Sequence, residues 1–484
     1  MSELIQINDI VLERHRPGPE RSQRVDYRAM AQAVPAVGVG KRYWIRTYGC
    51  QMNEHDSEIM AGMLQEMGYR PASAPEEADL ILFNTCAVRE NAEDKVFGEI
   101  GRIKPLKRRH PELLLGLCGC MAQEEKVRQF VRDTFPYVDL VFGTHNLHQL
   151  PELVVQAMAS QETVFAVWDR PGQVVENLPK LRQDGVKAWV NIQYGCNKYC
   201  TYCIVPFTRG RERSRLPEDV VAEVKQLAEE GIREVTLLGQ NVNDYGLDLG
   251  DVDFADLLQH VARIPGIERV RFTTSNPWNF TDKLIDVIAA EEAICEHIHL
   301  PVQSGNNRIL KRMNRGYTRE TYLQLVERIR NRIPGVSLTT DIIVGFPGET
   351  EEEFQDTLDL VRTVQFDNAF TFLYSRRQGT AAARMKDETS LEAKKDRLRR
   401  LNELQATISR RYHEQLVGKT EDVLVEGESK TNPEILAGRT RTNRLVLLQG
   451  SRELIGRTIP VQIVGAQTWL LRGEPHPAIR EVTG

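Results

Sequence analysis

Cys196, Cys200 and Cys203 lie in the run CNKYCTYC, separated by three and two residues. Thiolates at that spacing can reach one iron-sulfur cluster. Cluster ligation usually takes four cysteines, so a trio with no adjacent fourth leaves one iron of a 4Fe-4S cube without a protein ligand. Catalytic metals keep such an open position for a substrate or cofactor. Structural zinc wants four Cys or His ligands, usually in pairs, and Cys200 with Cys203 has no matching second pair nearby. Disulfides are disfavoured by 8 cysteines in 484 residues and by the lack of a secretory signal.

A second trio is scattered in the chain but regular in pattern. Cys50 (TYGCQMN), Cys86 (FNTCAVRE) and Cys120 (CGCMAQ) each end an apolar run that reads as a strand. Their gaps match one strand-helix unit each, which would bring three thiols to one sheet edge. Buried apolar cysteines are the competing explanation. Cys118 shares the strand of Cys120, and an extended chain would point both to the same face; Cys120 is preferred because it stands at the strand-to-helix turn. Cys295 has no cysteine near it and reads as core, and His297 with His299 share a strand face without a third ligand.

The elements that must position these residues follow two rhythms. RYWIRTYG, DLILFNTC, LLLGLCG and YVDLVFG alternate with helical stretches from Lys41 onward, the pattern of a parallel sheet covered by helices, with function at the carboxyl ends of its strands. After a linker at 159–181, six strands (KAWVNIQYG, EVTLLGQN, RVRFTTSNP, HIHLPVQ, SLTTDIIVGF, NAFTFLYS) alternate with helical patterns. Six units make a partial barrel, with the Cys196 loop leaving the first strand at the catalytic face. Strand ends at Gly239-Gln240-Asn241, Thr274-Ser275-Asn276, Gln303-Ser304-Gly305 and Gly345-Phe346-Pro347-Gly348-Glu349 could let backbone approach an adenosine or a carboxylate, or could be plain turns. From about residue 415, short β-rich runs with Gly turns indicate a small antiparallel barrel.

The expected fold is therefore α/β, in four parts: an N-terminal extension at 1–40, a parallel α/β domain at 41–158, a partial (β/α)6 barrel at 182–412 and a small β-barrel at 415–478. A net charge of −5 places any polyanion contact in local patches. Arg209, Arg211, Arg213 and Arg215 in TRGRERSR would set guanidiniums for phosphate at the pocket mouth, and Arg439, Arg441 and Arg444 in GRTRTNR would serve the small barrel. AKKDRLRRLN near residue 393 reads as a solvated helix face. The N-terminus lacks a signal-peptide pattern and no window approaches a membrane span, so a cytoplasmic protein is expected.

In order, TYGCQMN, NTCAVRE, CGCMAQ, GCNKYCTYCIVPFTRGRERSR, LLGQNVNDYG, HLPVQSGNNRILKRMNRGYT and DIIVGFPGET resemble the radical S-adenosylmethionine methylthiotransferase family, and the C-terminal segment resembles its TRAM domain. That resemblance implies two 4Fe-4S clusters. Cys196, Cys200 and Cys203 would hold the one that binds S-adenosylmethionine and yields a 5′-deoxyadenosyl radical. Cys50, Cys86 and Cys120 would hold an auxiliary, sulfur-carrying cluster. Gly239, Gln240, Asn241 and Gly345 would line the S-adenosylmethionine pocket. The implied reaction is methylthiolation of C2 of N6-isopentenyladenosine, 3′ of the anticodon in tRNA. Sister activities on threonylcarbamoyl-adenosine or on a ribosomal-protein aspartate remain open. Implied partners are tRNA, a flavodoxin-like or other low-potential electron donor and a sulfur donor, for a monomer with no membrane contact.

Overall fold

The computed structural model describes residues 24–30, 34–87, 90–182 and 185–477. The N-terminal sheet is fully parallel, in the order β3-β2-β4-β5-β6-β7, from β2 (Arg42–Thr47), β3 (Arg70–Pro71), β4 (Leu80–Thr85), β5 (Leu114–Gly119), β6 (Leu140–Phe142) and β7 (Val164–Ala166). Its strands are apolar on both faces because both are covered. Leu80, Leu82, Leu114 and Leu140 pack with Met60, Leu64 and Val154 on one side. Ile81, Phe83, Leu115, Leu117 and Val141 pack with Val96, Ile100 and Val131 on the other.

Two boundaries differ from the sequence expectation. The 159–181 stretch is partly built into the sheet as β7, and its β8 (Val175–Glu176) pairs in parallel with β1 (Val25–Asp26). Tyr27 beside β1 is buried in the same apolar layer. The end of the expected extension is thus tied down by backbone pairing and one aromatic side chain, while residues 1–23 lie outside the described residues.

The second body carries six parallel strands, β9 (Lys187–Asn191), β12 (Glu234–Leu238), β13 (Arg269–Phe272), β14 (His297–His299), β15 (Ser337–Val344) and β16 (Asn368–Leu373). They form two runs, β9-β12-β13 and β14-β15-β16, linked by a parallel bridge between Val270 and Ile294. A helix follows each strand, ending with the long helix Leu391–Glu414. The barrel is open between β16 and β9. On the β9 side the N-terminal helix Gln51–Glu66 is seated, with His55 Nδ1 3.0 Å from Asn191 Nδ2.

The first unit is less simple than a strand running into the cysteine loop. The chain leaves β9, forms β10 (Gln193–Tyr194) and pairs it antiparallel with β11 (Arg213–Ser214). The loop between these two short strands carries the trio.

The C-terminal body is a closed barrel, β17-β18-β19-β21-β20, from β17 (Thr420–Ser429), β18 (Asn432–Thr440), β19 (Leu445–Leu448), β20 (Thr458–Ala466) and β21 (Leu471–Pro475). Every pair is antiparallel except β19 with β21. It stands on the floor of the partial barrel, where strands begin. Lys187 pairs with Glu426 at 2.9 Å, and Arg271 donates to the carbonyls of Thr440 and Arg441 at 2.8 and 2.7 Å. Arg269 donates to those of Arg439 and Asp422 at 2.7 and 3.0 Å. No described helix is long and apolar enough to cross a membrane.

Candidate cluster and S-adenosylmethionine site

Asn53, in the first turn of the helix that follows β2, knits the N-terminal strand ends together. Its Nδ2 donates to the Tyr48 carbonyl at 2.8 Å and to the Thr85 carbonyl at 3.0 Å, and its Oδ1 lies 3.9 Å from Cys120 Sγ. The Cys120 N–H donates to the Thr85 carbonyl at 2.8 Å. Gly49 is at φ 122°, and a β-carbon there would fall 2.6 Å from Cys86 Cβ. Only glycine lets the backbone before Cys50 pass against the Cys86 side chain. Burial pushes the Cys120 thiol up to about 12, with Arg209 opposing and Cys86 and Cys50 reinforcing. The three strand-end thiols therefore share one electrostatic environment.

The choice between Cys118 and Cys120 is decided by backbone. Gly119 at φ 90° breaks the strand alternation that would have put both on one face. Cys118 points into the apolar layer, 3.7 Å from Met60 Sδ, and Cys120 caps the turn beyond the strand. Cys295 is 1% exposed in the interior, and His297 and His299 both reach Thr339 Oγ1, at 3.4 and 2.9 Å.

The Cys196 loop is held from several sides. The Cys196 N–H donates to the Gly210 carbonyl at 3.1 Å and the Cys203 N–H to the Cys200 carbonyl at 2.9 Å. Tyr199 is left-handed at φ 47°, a costly conformation for a non-glycine residue, and Asn314 Nδ2 donates to its carbonyl at 2.9 Å. Glu212 Oε1 accepts from the Asn197 N–H at 3.0 Å. Burial, then Asp244, raises the Glu212 carboxyl to about 8. Lys198 pairs with Asp244 at 2.6 Å and lies over Trp278. Burial and the neighbouring Cys200 push the Cys203 thiol up to about 12.

The two trios face each other. Ile204, directly after Cys203, packs with Cys120 and Ala87, and Arg209 reaches from the same loop to Asn53 Oδ1 and Asp56 Oδ2, each at 2.8 Å. Among the described residues no three Cys, His, Asp or Glu side chains converge as one metal ion requires. A cubane instead takes one thiolate at each of separate iron corners. Buried Cys86 and Cys120 and half-buried Cys50, beside the buried guanidinium of Arg209, match that demand, because thiolates out of water need positive charge to replace it.

The barrel's strand ends fit S-adenosylmethionine. Gln193, Asn241, Ser275 and Gln303 are each under a tenth exposed and carry side-chain polar atoms with no hydrogen-bond partner. Thr274 and Gln303 hold positive φ, 65° and 71°. Unpaired polar atoms occur elsewhere in the interior as well, but here they stand at four consecutive strand ends of one barrel, where a polar ligand could meet them. Asn241 and Gly239 belong to this rim. Gln240 instead donates to Met52 Sδ of the N-terminal helix. Gly345, at φ 71°, would place a β-carbon 2.6 Å from Lys394 Cγ, so that turn receives the helix Leu391–Glu414.

The expected phosphate-binding row is corrected. Arg209 and Arg215 are 5% and 6% exposed; Arg215 pairs with Glu176 and Glu223 at 2.6 and 2.7 Å. Arg213 is half-buried and donates to the Gly172 carbonyl at 2.8 Å. Of the four only Arg211 is exposed. Arg209 and Arg215 turn inward here because carboxylates wait for them, Asp56 for the first and Glu176 with Glu223 for the second. GRTRTNR is corrected in the same way. Arg441 binds Glu296 and the Ile294 carbonyl, Arg444 binds Asp367 and Arg439 lies 3.4 Å from Glu426, all at the floor. Lys394 and Arg397 of the basic helix are buried on Asp387 and Glu349. Sequence reasoning missed Arg315, whose Nη1 lies 3.3 Å from Cys200 Sγ; its motif, KRMNRGYT, was visible but its contact was not.

Comparison with known proteins agrees with this geometry. The radical SAM superfamily matches residues 190–361, the uncharacterized protein family UPF0004 matches 42–143 and the TRAM domain matches 414–475. The tRNA-2-methylthio-N(6)-dimethylallyladenosine synthase of Geobacillus kaustophilus is 55% identical over 464 residues, 96% of this chain and 87% of that protein. The Anoxybacillus flavithermus synthase is 57% identical over 440 residues, 90% and 83% of the two chains. Among solved structures, the radical S-adenosylmethionine methyltransferase TsrM from Kitasatospora setae, with cobalamin and a [4Fe-4S] cluster bound, superposes with a TM-score of 0.52 at 15% identity, covering 71% of this chain and 77% of that one; this likeness is one of fold. The chain belongs to the tRNA-2-methylthio-N(6)-dimethylallyladenosine synthase family, within the radical SAM superfamily.

Proposed function

We propose that this protein methylthiolates C2 of N6-isopentenyladenosine on the 3′ side of the anticodon of tRNA. The observation that supports the reading is that the Cys196 loop abuts the strand ends that carry the other cysteines, with Ile204 of that loop packed on Cys120. When bound, the cluster on Cys196, Cys200 and Cys203 with S-adenosylmethionine supplies a 5′-deoxyadenosyl radical, and that on Cys50, Cys86 and Cys120 supplies sulfur. Gln193, Asn241, Ser275 and Gln303 would hold the polar groups of S-adenosylmethionine. Arg315 donates toward Cys200 and anchors on the Pro301 carbonyl at 2.9 Å, which orients that ligand. Hydrogen bonds to cluster sulfur raise the reduction potential. The electron donor, the sulfur donor and a cytoplasmic, monomeric state belong to the same proposal.

The test is nucleoside mass spectrometry on isopentenylated tRNA incubated anaerobically with reconstituted protein, S-adenosylmethionine, sulfide and reductant. The expected result is a 2-methylthio adduct that disappears in Cys200→Ala and in Cys120→Ala. S-adenosylmethionine cleavage without adduct would overturn the substrate assignment and transfer it to threonylcarbamoyl-adenosine or protein aspartate.

A further inference from the structure

Most arginines of the two runs that could have gripped RNA are engaged by carboxylates and carbonyls of the fold, and the TRAM barrel stands at the end of the partial barrel opposite the cysteines. An RNA held by the TRAM barrel must therefore travel along the barrel's flank to reach the strand ends.

One flank offers a path. β16 is the free edge of the β14-β15-β16 run. Thr371 turns outward, its Oγ1 2.6 Å from Asn402 Oδ1 of the helix Leu391–Glu414. By strand alternation Phe370 and Phe372 turn into the barrel, yet they are 52% and 41% exposed. Phe370 meets His299 edge-on at 5.8 Å. Two residues beyond His299, the Pro301 carbonyl accepts from Arg315, the residue that contacts Cys200. The open edge thus leads inward to the cluster loop.

Asn402 also lines a surface groove of about 480 Å³, with Lys395, Leu398, Arg399, Glu403, Ala406 and Trp469. Trp469 is 56% exposed, at the tip of the turn between β20 and β21. That turn is fixed on the helix by the bond between His413 Nδ1 and the Gln467 carbonyl, 2.7 Å. On the groove side of the helix Arg399 is paired with Asp396 and Glu403, while exposed Lys395 is the cation that could meet a polyanion.

We infer that Trp469, the Lys395–Ala406 face of the helix and the Phe370–Phe372 edge form one continuous RNA-binding strip, along which an anticodon stem-loop runs from the TRAM barrel into the lumen. This rests on the tRNA reading above. Exposed aromatics flanking a surface groove, here Trp469 on a barrel turn and Phe370 and Phe372 on a strand edge, can serve as stacking platforms for unpaired bases. Trp469 would stack a loop or stem-end base, Lys395 would meet phosphate, and Phe370 with Phe372 would receive the splayed nucleotide. A protein partner is disfavoured because the strip ends in the reaction lumen.

The test measures binding of a synthetic anticodon stem-loop bearing N6-isopentenyladenosine to full-length reconstituted protein by fluorescence anisotropy. Trp469→Ala and Phe370→Ala are each expected to weaken binding about tenfold, and Lys395→Glu to weaken it with a shallower salt dependence. As a check independent of variant folding, 4-thiouridine in the loop of the same RNA is expected to crosslink to peptides containing Phe370, Lys395 or Trp469. Wild-type binding and turnover with unchanged variants, or crosslinks confined to other peptides, would overturn the strip while leaving the function intact. Absence of wild-type binding and turnover would overturn both.

Discussion

The Arg209 guanidinium bonds Asn53 and Asp56 of the N-terminal body, while its backbone adjoins the Gly210 carbonyl that accepts from Cys196. One residue thus touches the surroundings of both trios. Its charge is held far into the protonated range by Cys120, Asp56 and Cys50, against burial. Removing it leaves Asp56 unpaired, and breaking such a buried pair costs about 3–5 kcal/mol. In Arg209→Ala the expected outcome is continued S-adenosylmethionine cleavage with methylthio product reduced about tenfold or more. The ratio of 5′-deoxyadenosine to modified nucleoside measures this, and Arg209→Lys should recover part of it. At this scale the six cysteines stood out in the sequence as candidate ligands by their spacing. The burial of Arg209 was not, since its partners lie more than 150 positions away.

At the scale of elements, the turns decide which thiol points where. Gly195 precedes Cys196 at φ 74°, and a β-carbon there would sit 2.1 Å from the Arg211 carbonyl. The left-handed backbone alone costs a side chain about 1–2 kcal/mol, and the clash adds to it. Gly195→Ala is expected to lose the cluster of the Cys196 loop and retain the N-terminal one. Iron analysis should then fall by about half from two cubes; an unchanged iron content would refute the role of this turn. The main strands and helices of both α/β bodies were readable from period, but the short β3, β7, β10 and β11 were not. β18 (NPEILAGRT) was not, since its few apolar residues and its Gly and Pro read as turn chemistry. The pairing of β1 with β8 was hidden too, because two-residue strands have no period.

At the scale of the whole molecule, the seam between the N-terminal body and the barrel holds two neutral histidines. Burial depresses His55 well below its ordinary value and lowers His145 to about 4, with Arg213 and Arg209 adding to it. Both rings bind protons more readily in the unfolded chain, whose histidines titrate near about 6.5. The stability they contribute is complete above that value and falls as pH drops toward about 4. Thermal unfolding followed across this range should show a loss of midpoint that is smaller in His55→Gln. A variant with an unchanged profile would remove His55 from the seam's acid response.

The sequence by itself marked the candidate chemistry: two sets of three cysteines, one after strand ends and one in a compact loop motif, in a chain of two α/β rhythms followed by a β-rich segment. Ligand spacing and hydrophobic period are local properties, and local properties survive in a linear string. Only the tertiary structure decided that the trios confront each other through Ile204 and Cys120, that Cys120 rather than Cys118 reaches the edge, and that most arginines of TRGRERSR and GRTRTNR serve the interior. A guanidinium binds phosphate or a buried carboxylate with the same geometry. Which of the two it meets depends on where distant acids such as Asp56, Glu176 and Glu296 are carried by the fold.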